Sequence, residues 1–164
     1  MELMDIYDNN MEKTGKVKCR DEQVENGEYH LSVHLWNISN DGKILIQKRS
    51  KNKKSCPGKW SVITGGVIAG ETPEEAVKRE CLEEIQASVK VAKKVGVIKR
   101  QYDFVNIFVS NELPKIEEIV INEEEIEECK IVDFSTFEKM IEKNEIIDSV
   151  LDEYYKYIKF LKGE

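Results

Sequence analysis

Residues 65–87 read GGVIAGETPEEAVKRECLEEIQA, a glycine-marked connection running into an acidic helix. Thr72-Pro73-Glu74-Glu75 carries three agreeing start signals: a Thr N-cap, Pro at the first helical position and Glu at the third. The spacing predicts a helix to about Gln86. At about 100° per residue, Val77, Cys81 and Ile85 share a stripe, widened by Leu82, that is expected to pack on a sheet. Glu80, Glu83 and Glu84 are expected on the other side, within roughly 100° of arc. Glu71 precedes the cap, in the loop, and Arg79 borders Glu83 four residues ahead of it.

Carboxylates gathered on one arc repel. A like pair at i,i+4, such as Glu80 and Glu84, costs a few tenths of a kcal/mol when exposed, and more when buried. A hard divalent cation removes that penalty. Mg2+ takes oxygen ligands in an octahedron and keeps several waters, so it suits a site shared with substrate phosphates. Arg79 can hold one carboxylate by a forked pair and fix its direction. The plainer alternative is a solvated acidic helix face.

Around this segment the chain alternates between strand and helix patterns. Tyr29–Ile38 has the period-two signature of a strand, with Leu31, Val33 and Leu35 between His30, Ser32, His34 and Trp36. Asp41-Gly42 is a hairpin turn signal, and Lys43–Lys48 is the expected returning strand. Residues 50–59 read as a polar, basic loop around Pro57-Gly58. Trp60–Thr64 is a short apolar strand, and Gly65-Gly66 with Gly70 a flexible connection. Val89–Lys99, Phe104–Ser110 and Cys129–Phe134 are further strands. Ser135-Thr136-Phe137-Glu138 repeats the capping pattern before a helix near Glu138–Lys143. Asp148–Leu161 is a third helix, with Val150, Leu151, Tyr154, Tyr155, Ile158 and Leu161 on its apolar face. Strands interleaved with three helices predict a mixed sheet covered by helices.

The 164 residues suit a single domain over 1–164. No apolar run approaches the roughly 18 residues of a membrane helix, and Met1–Asp5 has no basic segment leading into an apolar one. With 25 Lys+Arg against 32 Asp+Glu, the chain lacks the basic footprint of a nucleic-acid binder. Cys19, Cys56, Cys81 and Cys129 are scattered, with no C-x-x-C pair. They are expected to be reduced, mostly buried thiols in the cytoplasm.

Residues 65–87 resemble the Nudix box, the signature of the Nudix hydrolases, usually written G-x5-E-x7-R-E-U-x-E-E-x-G-U with U apolar. Gly65, Glu71, Arg79, Glu80, Glu83 and Glu84 match in register. Gln86 stands where the pattern has Gly, the usual left-handed residue after a helix, and Cys81 and Ala87 hold apolar positions. Thr64 stands where many members have a second Gly. Outside the box, YHLSVHLW, LIQKRS, KKSCPGKW and the N-terminal DIYDNNMEKTG are similar to a subgroup related to isopentenyl-diphosphate isomerases.

The resemblance implies an α/β/α sandwich with a mixed β-sheet and hydrolysis of a diphosphate linkage in a nucleoside diphosphate derivative or related small molecule. It implies Mg2+ or Mn2+ on Glu80, Glu83 and Glu84, with Glu80 and Glu83 the candidate catalytic residues. Arg49, Gly65, Gly66 and Arg79 are the candidate substrate contacts. Arg49 belongs to a basic stretch, Lys48 to Lys59, that suits phosphate oxygens. In many members the base comes from a later loop, here residues 122–128, where acids surround Ile126. The isomerases' second metal histidine and catalytic cysteine have no counterpart, since Gly66-Val67-Ile68 and Thr64-Gly65 occupy their places. Loss of box acids would mark a non-catalytic ligand-binding module, and none is lost. His30 and His34 are expected in the core or on the pocket wall, Trp36 and Trp60 in the core. Tyr102 and Phe104 are candidates to stack on a base. The C-terminal helix and the N-terminal segment are candidate homodimer surfaces, or covers for the chain's own sheet.

Overall fold

A computed structural model describes residues 2–88 and 92–161. Its strands are β1 (Leu3–Tyr7), β2 (Lys13–Cys19), β3 (His30–Asn37), β4 (Lys43–Arg49), β5 (Trp60–Ser61), β6 (Ile63–Gly66), β7 (Lys93–Lys99), β8 (Asp103–Ser110) and β9 (Ile126–Asp133). Helix α1 spans Pro73–Ile85 and α2 spans Phe134–Glu142. The strand expected from Val89 begins at Lys93 within the described residues; Val89, Lys90 and Val91 lie outside them. Among the described residues, no helix is long and apolar enough to cross a membrane.

The strands form a mixed sheet in the order β6-β3-β8-β7, an antiparallel sheet β5-β4-β9 and a hairpin β1-β2. Within the mixed sheet only β3 and β8 run parallel. Leu31, Val33, Leu35, Phe104 and Phe108 gather with Ala76, Val77, Cys81 and Ile85 of α1. Trp36, Val105 and Ile107 gather with Phe137 of α2 and with Val150, Tyr154 and Ile158. Helices thus cover both faces of the mixed sheet, the α/β/α arrangement expected.

Several local expectations are corrected. The Asp41-Gly42 turn forms, with Gly42 at φ +80°, but it joins two sheets rather than closing a hairpin. The cause is pairing: β3 fills its two edges with β6 and β8, and β4 its own with β5 and β9, leaving one bridge between Ile38 and Ile44. Trp60–Thr64 divides in the same way, β5 pairing with β4 and β6 with β3. Gly65 and Gly66 are therefore strand residues, not a flexible connection. Hairpin β1–β2 has no counterpart in the strand assignment, because β2 (KTGKVKC) lacks an apolar alternation. The last strand starts earlier, at Ile126. Asp133, not Ser135, caps α2, its carboxylate accepting from Thr136 N at 2.7 Å. The third helix is a chain of unlike turns: a tight one at Asp148–Val150, an α turn at Leu151–Glu153 and a wide one at Tyr154–Ile158. Tyr155 and Leu161 are exposed, so its buried face is narrower than expected. Trp36 and Trp60 are core residues, and Phe104 packs against Tyr29 at 4.8 Å.

On α1 the largest correction is functional. Leu82 is 52% exposed, whereas Glu80 and Glu84 are each 7% exposed. Glu80 and Glu84 therefore turn toward the sheet, while Glu83 stays exposed. No disulfide joins the cysteines; Cys81 is fully buried, Cys19 and Cys129 partly so, and Cys56 is exposed on its loop, so the mostly buried thiols expected are only partly found.

Candidate active site

Helix α1 starts as its sequence requires, Thr72 Oγ1 accepting from Glu75 N at 3.1 Å with Pro73 behind it. It ends on Gln86 at φ +52°, ψ 31°, whose N–H donates to Leu82 O at 3.0 Å. The left-handed stop that the box pattern gives to Gly is thus made by Gln, at a steric cost of roughly 1–2 kcal/mol. The helix C-terminus also receives the loop before β9, through Val120 N to Ile85 O and Asn122 N to Glu84 O.

Arg79 organises the wall. Its Nε and Nη2 fork onto Glu71 at 2.8 and 2.9 Å, Nη1 donates to Glu80 at 2.9 Å and Glu83 at 3.2 Å, and Nη2 also reaches Gly66 O at 2.8 Å. All five guanidinium N–H groups have protein acceptors. As a substrate contact Arg79 has no donor left to offer. Burial alone would raise the Glu71 carboxyl, but Arg79 and the Ile68 N–H hold it below the ordinary range.

Gly65 is needed for space. A Cβ there would lie 2.1 Å from Glu80 Cδ, while one on Gly66 meets nothing within 4 Å. The obstructed atoms are the mobile end of a side chain, so Gly65→Ala displaces Glu80 rather than breaking the fold. Its turnover is expected to fall roughly a hundredfold, with the melting temperature little changed. Gly66→Ala is the matched comparison, and equal activities for the two alanines would contradict this role for Gly65.

Burial pushes the Glu80 carboxyl up to about 7 despite Arg79 beside it. Burial likewise pushes Glu84 up to about 8, against the Gln47 amide, which donates to it at 2.7 Å. Gln47 Oε1 is buried with no partner. Two carboxyls short of compensating charge beside an orphaned acceptor fit a hydrated hard cation in kind. Among the described residues, no three His, Cys, Asp or Glu side chains converge as they stand, since Glu83 leans to Arg79 and Glu84 to Gln47.

Glu80, Glu83 and Glu84 line one cavity of about 1180 Å³. Gly65, Gly66 and Arg49 line it too, as do His30 and His34. Arg49 is braced by Ser55 through Nε at 3.0 Å and Nη2 at 3.1 Å. Of the basic stretch, Lys53 and Lys54 also face the cavity, Lys53 paired with Glu125. Lys48 and Lys51 pair instead with Glu127. From the acidic loop only Asn122, Glu124 and Glu125 reach the cavity; Tyr102 and Phe104 do not. Behind Ser32 and Arg100, which line the cavity, buried Asp103 accepts from Ser32 at 2.7 Å and is forked by Arg100. Burial favours its neutral form, but Arg100 and Ser32 outweigh that and hold it low.

Gln47, Asp103 and Glu153 were not singled out in the sequence. Gln47 had a signal: in KILIQK it shares a strand face with Leu45, so a polar group occupies a core position.

Residues 28–154 match the family profile described as NUDIX domain. An uncharacterized Nudix hydrolase of Listeria monocytogenes is 27% identical over 150 residues, covering 90% of this chain and 89% of that protein. Isopentenyl-diphosphate Delta-isomerase of Salmonella heidelberg is 38% identical over only 61 residues, 37% of this chain and 34% of the isomerase. The crystal structure of a Deinococcus radiodurans protein superposes with a TM-score of 0.80 at 18% identity, covering 96% of this chain and 99% of that one. With the profile spanning most of its length and Gly65, Glu80, Glu83 and Glu84 lining one cavity, the chain belongs to the Nudix hydrolase family.

Proposed function

We propose that this protein is a metal-dependent hydrolase of a diphosphate linkage in a nucleoside diphosphate derivative or related small molecule. The observation that carries this reading is the Arg79 hub, which fixes Glu71, Glu80 and Glu83 along a cavity with room for a nucleotide. Glu80, Glu83 and Glu84 would hold a divalent cation, Mg2+ or Mn2+, which would supply charge neutralisation and Lewis acidity. Glu80 and Glu83 are the candidates to accept the proton of the attacking water. A carboxyl poised near neutrality suits that exchange. Glu124 and Glu125, on the loop bound to the end of α1, line the same cavity and are the loop-borne alternatives. Arg49, with Lys54 on the same rim, meets the phosphate oxygens, and Gly65 and Gly66 keep the strand floor clear. Arg79 is a positioning residue in this scheme.

The test is a panel of nucleotide sugars, dinucleoside polyphosphates and oxidised nucleotides, assayed for nucleotide or phosphate release with Mg2+ or Mn2+. At least one is turned over, chelation stops it, and added metal restores it. Silence across the panel overturns the reading. A substrate-free check uses thermal unfolding. Because Glu80 and Glu84 must lose protons to bind the cation, Mg2+ raises the melting temperature more at pH 8 than at pH 6. An equal shift at both would count against these ligands.

A further inference from the structure

His34 stands on the cavity wall opposite Thr64, one residue along β6 from the glycine that accommodates Glu80. One edge of its ring is committed. Nδ1 lies 2.9 and 2.8 Å from the two oxygens of Glu153. Glu153 is 1% exposed, and its Oε1 also accepts the Trp36 indole N–H at 2.7 Å. A carboxylate that solvent barely reaches therefore fixes the ring from behind. The other edge is uncommitted. Nε2 has no protein hydrogen bond, yet it is not sealed: among the described residues, Gln47 Oε1 and Asn106 Oδ1 are the buried side-chain polar atoms without a partner. The surface left to Nε2 is the cavity. A histidine needed only to tie the C-terminal segment to β3 has no use for a second nitrogen open to a substrate-sized space.

We propose that His34 contacts the substrate, donating from Nε2 to a phosphoryl oxygen of the diphosphate, while Glu153 is the positioning residue that holds the ring. This rests on the diphosphate-hydrolase reading above. In the bound state Nδ1 faces the Glu153 carboxylate and Nε2 faces the phosphoryl group. The histidine reaches the cavity from β3 and the acids reach it from α1.

Two substitutions separate the edges of the ring. In His34→Asn the amide nitrogen replaces Nδ1 and keeps a donor for Glu153, but nothing reaches the cavity. In His34→Gln the amide nitrogen replaces Nε2 and gives up Glu153. The probe is methylenediphosphonate with Mg2+, titrated into the full chain by calorimetry, with thermal unfolding measured in parallel. His34→Asn is expected to bind at least tenfold more weakly while melting within a few degrees of the unmutated protein. His34→Gln is expected to bind within about threefold and to melt lower. In the unmutated protein the 15N resonance of His34 Nε2 moves on adding the probe. If His34→Asn binds as well as the unmutated chain, or that resonance stays put, His34 is a strut only and the hydrolase reading stands. If the unmutated chain binds no methylenediphosphonate with Mg2+ or Mn2+, both proposals fall.

Discussion

Glu80→Gln is expected to lower kcat by about a thousandfold, the scale of a lost general base, and to leave the protein folded. Gln keeps the shape and still offers an oxygen to Arg79, but it has no charge for a cation and takes no proton. The same substitution changes how stability depends on pH. Burial lifts the Glu80 carboxyl from 4.5 to about 7 in the folded state. A raised carboxyl adds stability fully present below the unfolded value and lost as pH rises through the folded one. Without metal, Glu80 therefore withdraws on the order of 3 kcal/mol between about pH 4.5 and pH 7. Glu84, raised by burial to about 8, continues the decline. His30, lowered chiefly by burial, acts the other way around its ordinary range and offsets part of it. The Gln variant lacks the Glu80 share, so its metal-free melting temperature falls less between pH 5 and pH 7.5. Turnover within tenfold of the unmutated enzyme, or parallel pH curves, would remove Glu80 from the role given to it.

Much of this site was legible because its signals are local. The Thr72 cap, Pro73 and the positions of Glu71, Arg79, Glu80, Glu83 and Glu84 follow from spacing along one helix and the loop before it. Which way that helix faces was not legible. The 3.6 period sets Glu84 beside Val77 and Cys81 on the stripe, yet chemistry argues that a carboxylate belongs in water. The structure follows the geometry because Gln47 and Arg79 supply the missing partners. Arg79 is local, but Gln47 comes from a strand far back along the chain and leaves no mark on the helix's own pattern. The hairpin expected at Asp41-Gly42 failed for a related reason. A turn signal fixes the reversal of the chain but not which edges its strands pair, and here β8 and β9, far along the sequence, take those edges. The left-handed end of α1 survives with Gln86, so the tertiary contacts of the following loop outweigh a local preference for Gly.

Glu153→Ala is expected to have the largest effect on stability, roughly 3–5 kcal/mol, because it removes one partner from a buried charged network. His34 Nδ1 and Trp36 Nε1 both lose their acceptor, and Trp36 has no exposed surface on which water could replace it. For a chain of this length the melting temperature falls by roughly 10–15 °C. Glu153→Gln is gentler, since one amide oxygen still accepts from one of the two donors. Glu127→Ala is the surface comparison. Its contacts to Lys48 and Lys51 are 3.9 and 3.8 Å and partly exposed, and its loss changes stability by about 0.5 kcal/mol or less. A melting temperature for Glu153→Ala within 3 °C of the unmutated protein would mean that the carboxylate is not the tie between the C-terminal segment and β3. The same residue joins stability to the site: the segment that carries Glu153 packs on one face of the mixed sheet, and its carboxylate sets the direction of a ring on the cavity wall. Loosening that segment should therefore disturb the His34 ring before it disturbs α1, whose carboxylates are held by Arg79 and Gln47 rather than by the C-terminal segment.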